Sequence, residues 1–97
     1  MYYIHALALL ADHLFDWDEG NLEHVGEHGV EPGEVEEIFR GKLYVRRVRE
    51  RYIVLGVTLT GRRLFSVLVR YPGPVARIIT ARDMNAKERR LFERSAR

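Results

Sequence analysis

Residues 51–71 read RYIVLGVTLTGRRLFSVLVRY, and they carry the strongest fold signal in the chain. Two runs rich in β-branched and aromatic residues, 51–58 and 63–71, are separated by a short connection that contains Gly61. Such runs predict strands, and a short glycine-containing connection predicts that they pair as an antiparallel hairpin. A β-sheet is therefore expected in the second half of the chain.

One further strand is predicted on each side of this hairpin. Residues 43–48 alternate in polarity, as a half-buried strand does, and residues 75–81 form another apolar run. The segment Tyr71-Pro72-Gly73-Pro74, which precedes the last run, is a strong turn signal. Together the four runs predict a four-stranded antiparallel meander.

Helical patterns precede the sheet. Apolar residues recur at helical spacing over residues 4–14, which predicts a first helix. Asp18 is a candidate N-cap for a helix over residues 19–27, and Gly29 follows where a left-handed C-cap is expected. Pro32 suits the first turn of the next helix.

The order of these elements predicts the architecture. The helix over residues 19–27 is expected to bury Leu22 and Val25, and a last helix is expected after Asn85. This order favours an α+β domain in which N-terminal helices pack on a four-stranded antiparallel sheet and a C-terminal helix follows. The 97 residues predict a single domain, 1–97, with residues 1–14 as an apolar N-terminal extension.

Composition excludes several classes of function. The chain has no cysteine, which rules out a disulfide framework, a thiolate metal site and a cysteine nucleophile. Its scattered glycines form no phosphate-binding loop of the P-loop or Rossmann kind. The apolar residues 2–11 are too few to cross a bilayer and lack the charged start of a signal peptide. We therefore expect a cytoplasmic protein with no membrane partner.

Charge is divided unevenly along the chain. Residues 1–41 hold ten Asp or Glu against one Arg, a formal charge of −9, whereas residues 42–97 have a formal charge of +11. Fourteen of the sixteen basic residues are arginines, whose planar fork matches phosphate, so the basic half favours a nucleic-acid partner. The alternatives are a source organism that uses arginine everywhere, and self-association of the oppositely charged halves.

Five short pieces of sequence resemble one known family. They are Phe15-Asp16-Trp17-Asp18-Glu19, His28-Gly29-Val30, Glu36-Glu37-Ile38-Phe39, Arg77-Ile78-Ile79-Thr80-Ala81-Arg82 and Glu88-Arg89-Arg90-Leu91-Phe92-Glu93. In their order and spacing they resemble the BrnT-like toxins, the ribonuclease halves of bacterial type II toxin–antitoxin pairs with a RelE-like fold. The resemblance implies a small metal-independent endoribonuclease with no cofactor, held inactive by a cognate antitoxin. It allows a homodimer or a toxin–antitoxin heterotetramer.

At one position the sequence departs from the family in a way that bears on activity. The family usually carries Lys directly before the His-Gly-Val element, and here that place is Glu27. An acidic residue repels phosphate. This change favours the alternative of a catalytically inactive RelE-like module that binds RNA or an antitoxin.

Four residues are predicted to be catalytic. Cleavage of RNA without a metal needs a proton acceptor, a proton donor and cations that stabilise charge on phosphorus. His28 is the candidate for proton transfer, and its alternative role is to bond the last carbonyls of a helix. Arg82, after the last strand, is the first candidate for a phosphate clamp, followed by Arg77 and Arg63.

Six further residues are predicted to contact RNA: Trp17, Arg46, Arg49, Arg51, Arg62 and Arg89. The tryptophan would stack on a base, or else anchor the core beside a helix start. The strand arginines would bind the RNA backbone, or else protect a sheet edge from aggregation. His24 and His28 lie four residues apart, but the chain has no His-Glu-x-x-His motif, so no metal site is expected.

Overall fold

The computed structural model describes residues 2–5, 14–71 and 75–95. Within these ranges the chain forms strands β1 and β2, helices α1 and α2, strands β3 to β6 and helix α3. Their bounds are β1 Tyr2–His5, β2 Leu14–Asp16, α1 Glu19–Glu27, α2 Pro32–Ile38, β3 Lys42–Val48, β4 Arg51–Val57, β5 Arg63–Arg70, β6 Val75–Asp83 and α3 Ala86–Ser95. The α+β class predicted from the sequence is confirmed.

The sheet is larger than predicted. Over the described ranges it has six strands in the order β1-β3-β4-β5-β6-β2. The meander from β3 to β6 is antiparallel as expected, but β2 joins the outer edge of β6 in parallel, and β1 pairs antiparallel with β3. The prediction of four strands, all antiparallel, was therefore wrong. Strands of three or four residues are too short for a periodic pattern, and their pairing depends on distant partners.

The predicted helix over residues 4–14 was also wrong at both ends. Ile4 and His5 lie in β1, and Leu14 begins β2. Residues 6–13 lie outside the described part of the chain. The tyrosines and isoleucine at the start of this segment favour a strand, and short apolar runs fit either period.

Helix α1 begins and ends where the sequence predicted. Asp18 is its N-cap and forms a reciprocal capping box with Asn21, whose side chain accepts from the Asp18 N–H at 2.7 Å. Gly29 has φ 69°, the left-handed conformation expected after a helix. The prediction for the buried side of α1 was only half right, since Val25 is fully buried but Leu22 is 40% exposed.

Asn21 takes the buried place instead of Leu22. Its Nδ2 donates to the backbone oxygens of Asp16 at 2.7 Å and of Ile78 at 3.0 Å. The amide thereby ties the first turn of α1 to β2 and β6, and its burial is compensated by hydrogen bonds.

Helices cover both faces of the sheet. On the face under α1 and α2, which we call the α1–α2 face, the main core forms; it contains Val25, Val35, Ile38, Phe39, Leu43, Val54, Leu64, Leu68 and Ile78. On the opposite face, which we call the α3 face, a smaller cluster joins α3 to the sheet; it contains Tyr44, Leu55, Met84 and Phe92, with Phe65 and Leu91 beside them. Among the described helices, none is long and apolar enough to cross a membrane.

Candidate functional site

The uneven charge of the sequence becomes a difference between the two faces. Residues 19–38, which form α1, α2 and their connection, contain seven glutamates and no Lys or Arg. Helix α3 instead carries four basic residues against two glutamates: Lys87, Arg89, Arg90, Arg94, Glu88 and Glu93. A polyanion is therefore repelled by the helices of the α1–α2 face and attracted to the α3 face.

Arg82 is fixed on the α3 face with part of its guanidinium group open. Its Nη1 and Nη2 donate to the two carboxylate oxygens of Glu88 at 2.8 and 2.9 Å, and Nη1 also donates to the Asp83 carbonyl at 3.1 Å. Its Cζ lies 3.9 Å from the centroid of the Phe65 ring. Among the described residues, no partner accepts from Nε or from the second Nη2 hydrogen. These two N–H groups share one edge of the planar group, the geometry that binds phosphate with two hydrogen bonds.

The electrostatics of this pair keep both groups charged. Burial raises the pKa of Glu88, but hydrogen bonds from Arg82 and from the Asn85 N–H outweigh it and leave the pKa below its ordinary value. The hydrogen bond to Glu88 raises the pKa of Arg82. Glu88 therefore stays an anion that orients Arg82 and neutralises part of its charge.

Arg63 lies beside Arg82 on the same face. Phe65 is two residues further along β5, directly opposite Arg82 in β6. The Nη2 of Arg63 donates to Glu93 of α3 at 3.2 Å. Arg63 and Arg89 also line a shallow cavity of about 280 Å³ beside α3. Three of the predicted residues are thus brought to one region, and two glutamates of α3 hold two of them.

Arg77 lies near the other end of β6. Its Nη1 bonds to Asp18 Oδ2 at 2.8 Å and to Asp16 Oδ2 at 3.3 Å. The hydrogen bond to Asp18 raises the pKa of Arg77, and the same bond lowers the pKa of Asp18. Five residues of strand separate Arg77 from Arg82, about 16 Å at strand spacing. The structure therefore does not bring these two predicted catalytic residues together.

Arg62 is bonded into the fold. Its Nε and Nη2 donate to the carboxylate of Asp83 at 2.7 and 3.2 Å, and its Nη1 donates to Glu34 and to the Gly29 carbonyl, both at 2.9 Å. The hydrogen bond to Asp83 raises the pKa of Arg62 well above its ordinary range. Four donated hydrogen bonds join the end of α1, α2 and β6, which is a structural role.

His28 is exposed and follows the acidic end of α1. Its ring centroid lies 5.8 Å from that of His24. Within the described residues, no hydrogen bond or ion pair joins it to Arg63, Arg77 or Arg82, and no three His, Asp or Glu side chains are placed to hold a metal. His28 and Arg82 belong to opposite faces of the sheet, and the catalytic role of His28 stays a prediction.

The other predicted RNA contacts are spread over the molecule. Trp17 is half-buried against the main core and donates from Nε1 to Glu36 at 2.8 Å, as the core-anchor alternative expected. Arg49 and Arg51 are exposed on the β3–β4 hairpin, where Arg49 has φ 59°, a conformation that usually selects glycine or asparagine. Arg46 is exposed on β3, next to α3.

Sequence reasoning missed the cavity that lies between α3 and the sheet. It has a volume of about 320 Å³, and its lining includes Tyr44, Arg46, Phe65, Asn85 and Leu91. The alternating pattern of β3 was a signal that Tyr44 faces away from Leu43 and Val45, but nothing in the sequence placed α3 over that face. Glu88 was also missed as the partner of Arg82.

Comparison with known proteins was made against family models and against curated proteins. A family model described as "Ribonuclease toxin, BrnT, of type II toxin-antitoxin system" matches residues 17–88. The matched range includes all the candidate residues above except Arg89. No curated protein matches the chain.

Proposed function

Since the chain belongs to the BrnT family of ribonuclease toxins of type II toxin–antitoxin systems, we propose that it cleaves RNA on its α3 face without a metal. Family membership implies ribonuclease activity and a cognate antitoxin. The metal independence, the residues involved, the RelE-like assignment of the fold and the cytoplasmic location are our proposals.

One observation carries the choice of face. Arg82 is held by Glu88 and by the Phe65 ring, yet one edge of its guanidinium has two N–H groups with no partner in the described part of the chain. A cation that is already oriented stabilises developing negative charge with little reorganisation. Arg63 lies beside it and adds a second cation. The seven glutamates of residues 19–38 disfavour RNA on the opposite face.

The reaction that fits these groups is transesterification within the RNA strand. The 2′-oxygen attacks phosphorus, the bond from phosphorus to the 5′-oxygen breaks, and the products end in a 2′,3′-cyclic phosphate and a 5′-hydroxyl. Arg82 and Arg63 stabilise the charge that builds on the phosphoryl oxygens. Glu88 already accepts from Arg82 and Asn85, so we assign its role to positioning, and we assign the two proton transfers to water.

The cognate antitoxin is proposed to cover the same face. A basic surface that attracts RNA also attracts an acidic segment of protein, and such a segment would occlude Arg82 and Arg63. Either a homodimer of this chain or a toxin–antitoxin heterotetramer is compatible with this arrangement.

The test is cleavage of labelled RNA by the purified protein in excess EDTA. We compare the wild type with Arg82→Ala and with Arg47→Ala, a strand arginine that stacks on Tyr52 on the α1–α2 face. The wild type and Arg47→Ala should cleave and leave 2′,3′-cyclic phosphate ends, whereas Arg82→Ala should lose about 100-fold or more. Full activity of Arg82→Ala would contradict the placement, and cleavage only without EDTA would contradict metal independence.

A second candidate function is an inactive module that binds RNA or its antitoxin. Glu27 is exposed directly before His28, at the position where the family usually carries lysine. Such a module would bind RNA with a salt-dependent affinity but would leave it intact in every lane of the same experiment.

A further inference from the structure

The cavity between α3 and the sheet has the size and lining of a binding site. Its volume of about 320 Å³ falls at the lower end of the range for small-ligand pockets. Ile53, Leu55, Phe65 and Leu91 form apolar walls, and Arg46 and Lys87 add positive charge. A cavity of this kind suits a flat, partly polar group attached to an anion.

Two polar groups in this lining have bonding capacity to spare. Tyr44 is only 4% exposed, and its buried hydroxyl has no hydrogen-bond partner within the described residues. Native proteins rarely leave such a group unsatisfied, so a ligand that supplies the partner gains affinity. Asn85 uses its Oδ1 to cap α3 at Glu88, and no partner for its Nδ2 is found among the described residues.

We propose that this cavity holds one unstacked base of the RNA and that the Tyr44 hydroxyl donates a hydrogen bond to a carbonyl oxygen of that base. Single-stranded RNA is commonly recognised by bases that leave the stack, enter an apolar or aromatic site and bond at their edges. Tyr44 and Asn85 supply donors, which match the ring carbonyls of uracil and cytosine; adenine has none. This inference rests on the proposed function, because it assumes that RNA occupies the α3 face.

The neighbours of the cavity make the assignment consistent with phosphate binding at Arg82. Phe65 forms one wall of the cavity and also supports the Arg82 guanidinium. Glu88 contributes to the lining and holds Arg82 in place. A base in the cavity would therefore bring its own backbone phosphate next to the open edge of Arg82, with Arg46 and Lys87 near the adjoining phosphates.

The experiment measures binding separately from cleavage. Fluorescence anisotropy would give the affinities of labelled 2′-O-methyl octamers of uridine, cytidine or adenosine, which lack the attacking hydroxyl. The variants are Tyr44→Phe and, as a matched control, Tyr52→Phe on the α1–α2 face. Wild type and Tyr52→Phe should prefer the pyrimidine octamers. Tyr44→Phe should bind them about 2- to 10-fold more weakly, leave the adenosine octamer unchanged and keep the same salt dependence.

A purely structural role for Tyr44 predicts a different result. Because its hydroxyl makes no hydrogen bond in the described structure, Tyr44→Phe should keep or slightly raise the melting temperature. Unchanged affinity of Tyr44→Phe for the pyrimidine octamers would overturn the base site while leaving RNA binding in place, which is also the outcome if the cavity receives a side chain of the antitoxin. Failure of the wild type to bind any octamer would overturn the proposed function together with the base site.

Discussion

On the α1–α2 face the polar side chains are bonded into the fold, whereas on the α3 face several bonding groups remain open. Asn21 bonds to three backbone groups and Arg62 donates four hydrogen bonds, so neither has much left to offer a ligand. Across the sheet, Arg82 keeps one edge unused and the Tyr44 hydroxyl is unpaired within the described residues. One face thus contributes mainly to stability, and the other is left available for binding.

The arginines teach the same lesson at closer range. Arg62 bonds to Asp83, and Arg82 is the next residue along β6, so the two cations belong to the same end of the sheet. Adjacent strand residues point to opposite faces, so Asp83 reaches the α1–α2 side and Arg82 the α3 side. Sequence position and residue type were alike, and the face alone separates the structural arginine from the candidate site.

The largest effect on stability is expected at Gly56, where α2 packs on the α1–α2 face. A Cβ at this position would lie 2.8 Å from Ile38 Cβ and 2.8 Å from Leu43 Cδ2, closer than carbon atoms approach. Gly56→Ala should therefore push α2 outward and lower the free energy of unfolding by about 1–3 kcal/mol. For a domain of this size, that is a drop in melting temperature of roughly 4–8 °C per kcal/mol.

Gly33→Ala is the matched control for this substitution. Gly33 lies in α2, and a Cβ there would meet no atom within 4 Å. Alanine at this helical position should raise stability by up to about 1 kcal/mol. Equal melting temperatures of the two variants would show that the contact between α2 and the sheet is looser than the structure has it.

A smaller loss of stability is expected when Arg62 is removed. Arg62→Ala leaves Glu34, Asp83 and the Gly29 carbonyl without their partner, and it should cost about 1–2 kcal/mol because these groups are partly hydrated. Arg82→Ala removes one exposed ion pair and should cost at most about 1 kcal/mol. Urea unfolding measures both, and a larger cost for Arg82→Ala would contradict the division of roles between the faces.

The same pair of proteins should differ in acid. The hydrogen bond from Arg62 holds the pKa of Asp83 below its ordinary value of 3.8 in the folded state. A carboxyl with a lowered folded pKa stabilises the protein above its unfolded pKa, and the stabilisation is lost as pH falls through the folded pKa. The wild type should lose stability between roughly pH 5 and pH 2, and Arg62→Ala should lose less over that window. Parallel pH profiles would show that the pair contributes nothing to acid unfolding.

The features predicted from the sequence are those with local signals. Asp18 and Gly29 mark the ends of α1 through backbone groups a few residues away, and the hairpin of residues 51–71 is joined by its own turn. The burial of Asn21 depends on carbonyls of Asp16 and Ile78, the latter 57 residues distant, so the apolar Leu22 was the better guess from periodicity alone. Candidate arginines were identified by residue type, but the face that each one occupies depends on the three-dimensional pairing of β5 and β6.

The smallest effect is expected at His28, and it tests the comparison most directly. His28 is exposed on the α1–α2 side, next to Glu27, so His28→Gln should change the free energy of unfolding by less than about 0.5 kcal/mol. If RNA reacts on the α3 face, cleavage by His28→Gln should stay within about 2-fold of the wild type, and Glu27→Lys should likewise have little effect. A loss of about 100-fold in His28→Gln, with cleavage increased in Glu27→Lys, would instead move the reaction to the end of α1. The electrostatic argument stands against that result, because a phosphate at His28 would lie among the glutamates of α1 with no bonded cation to stabilise its transition state.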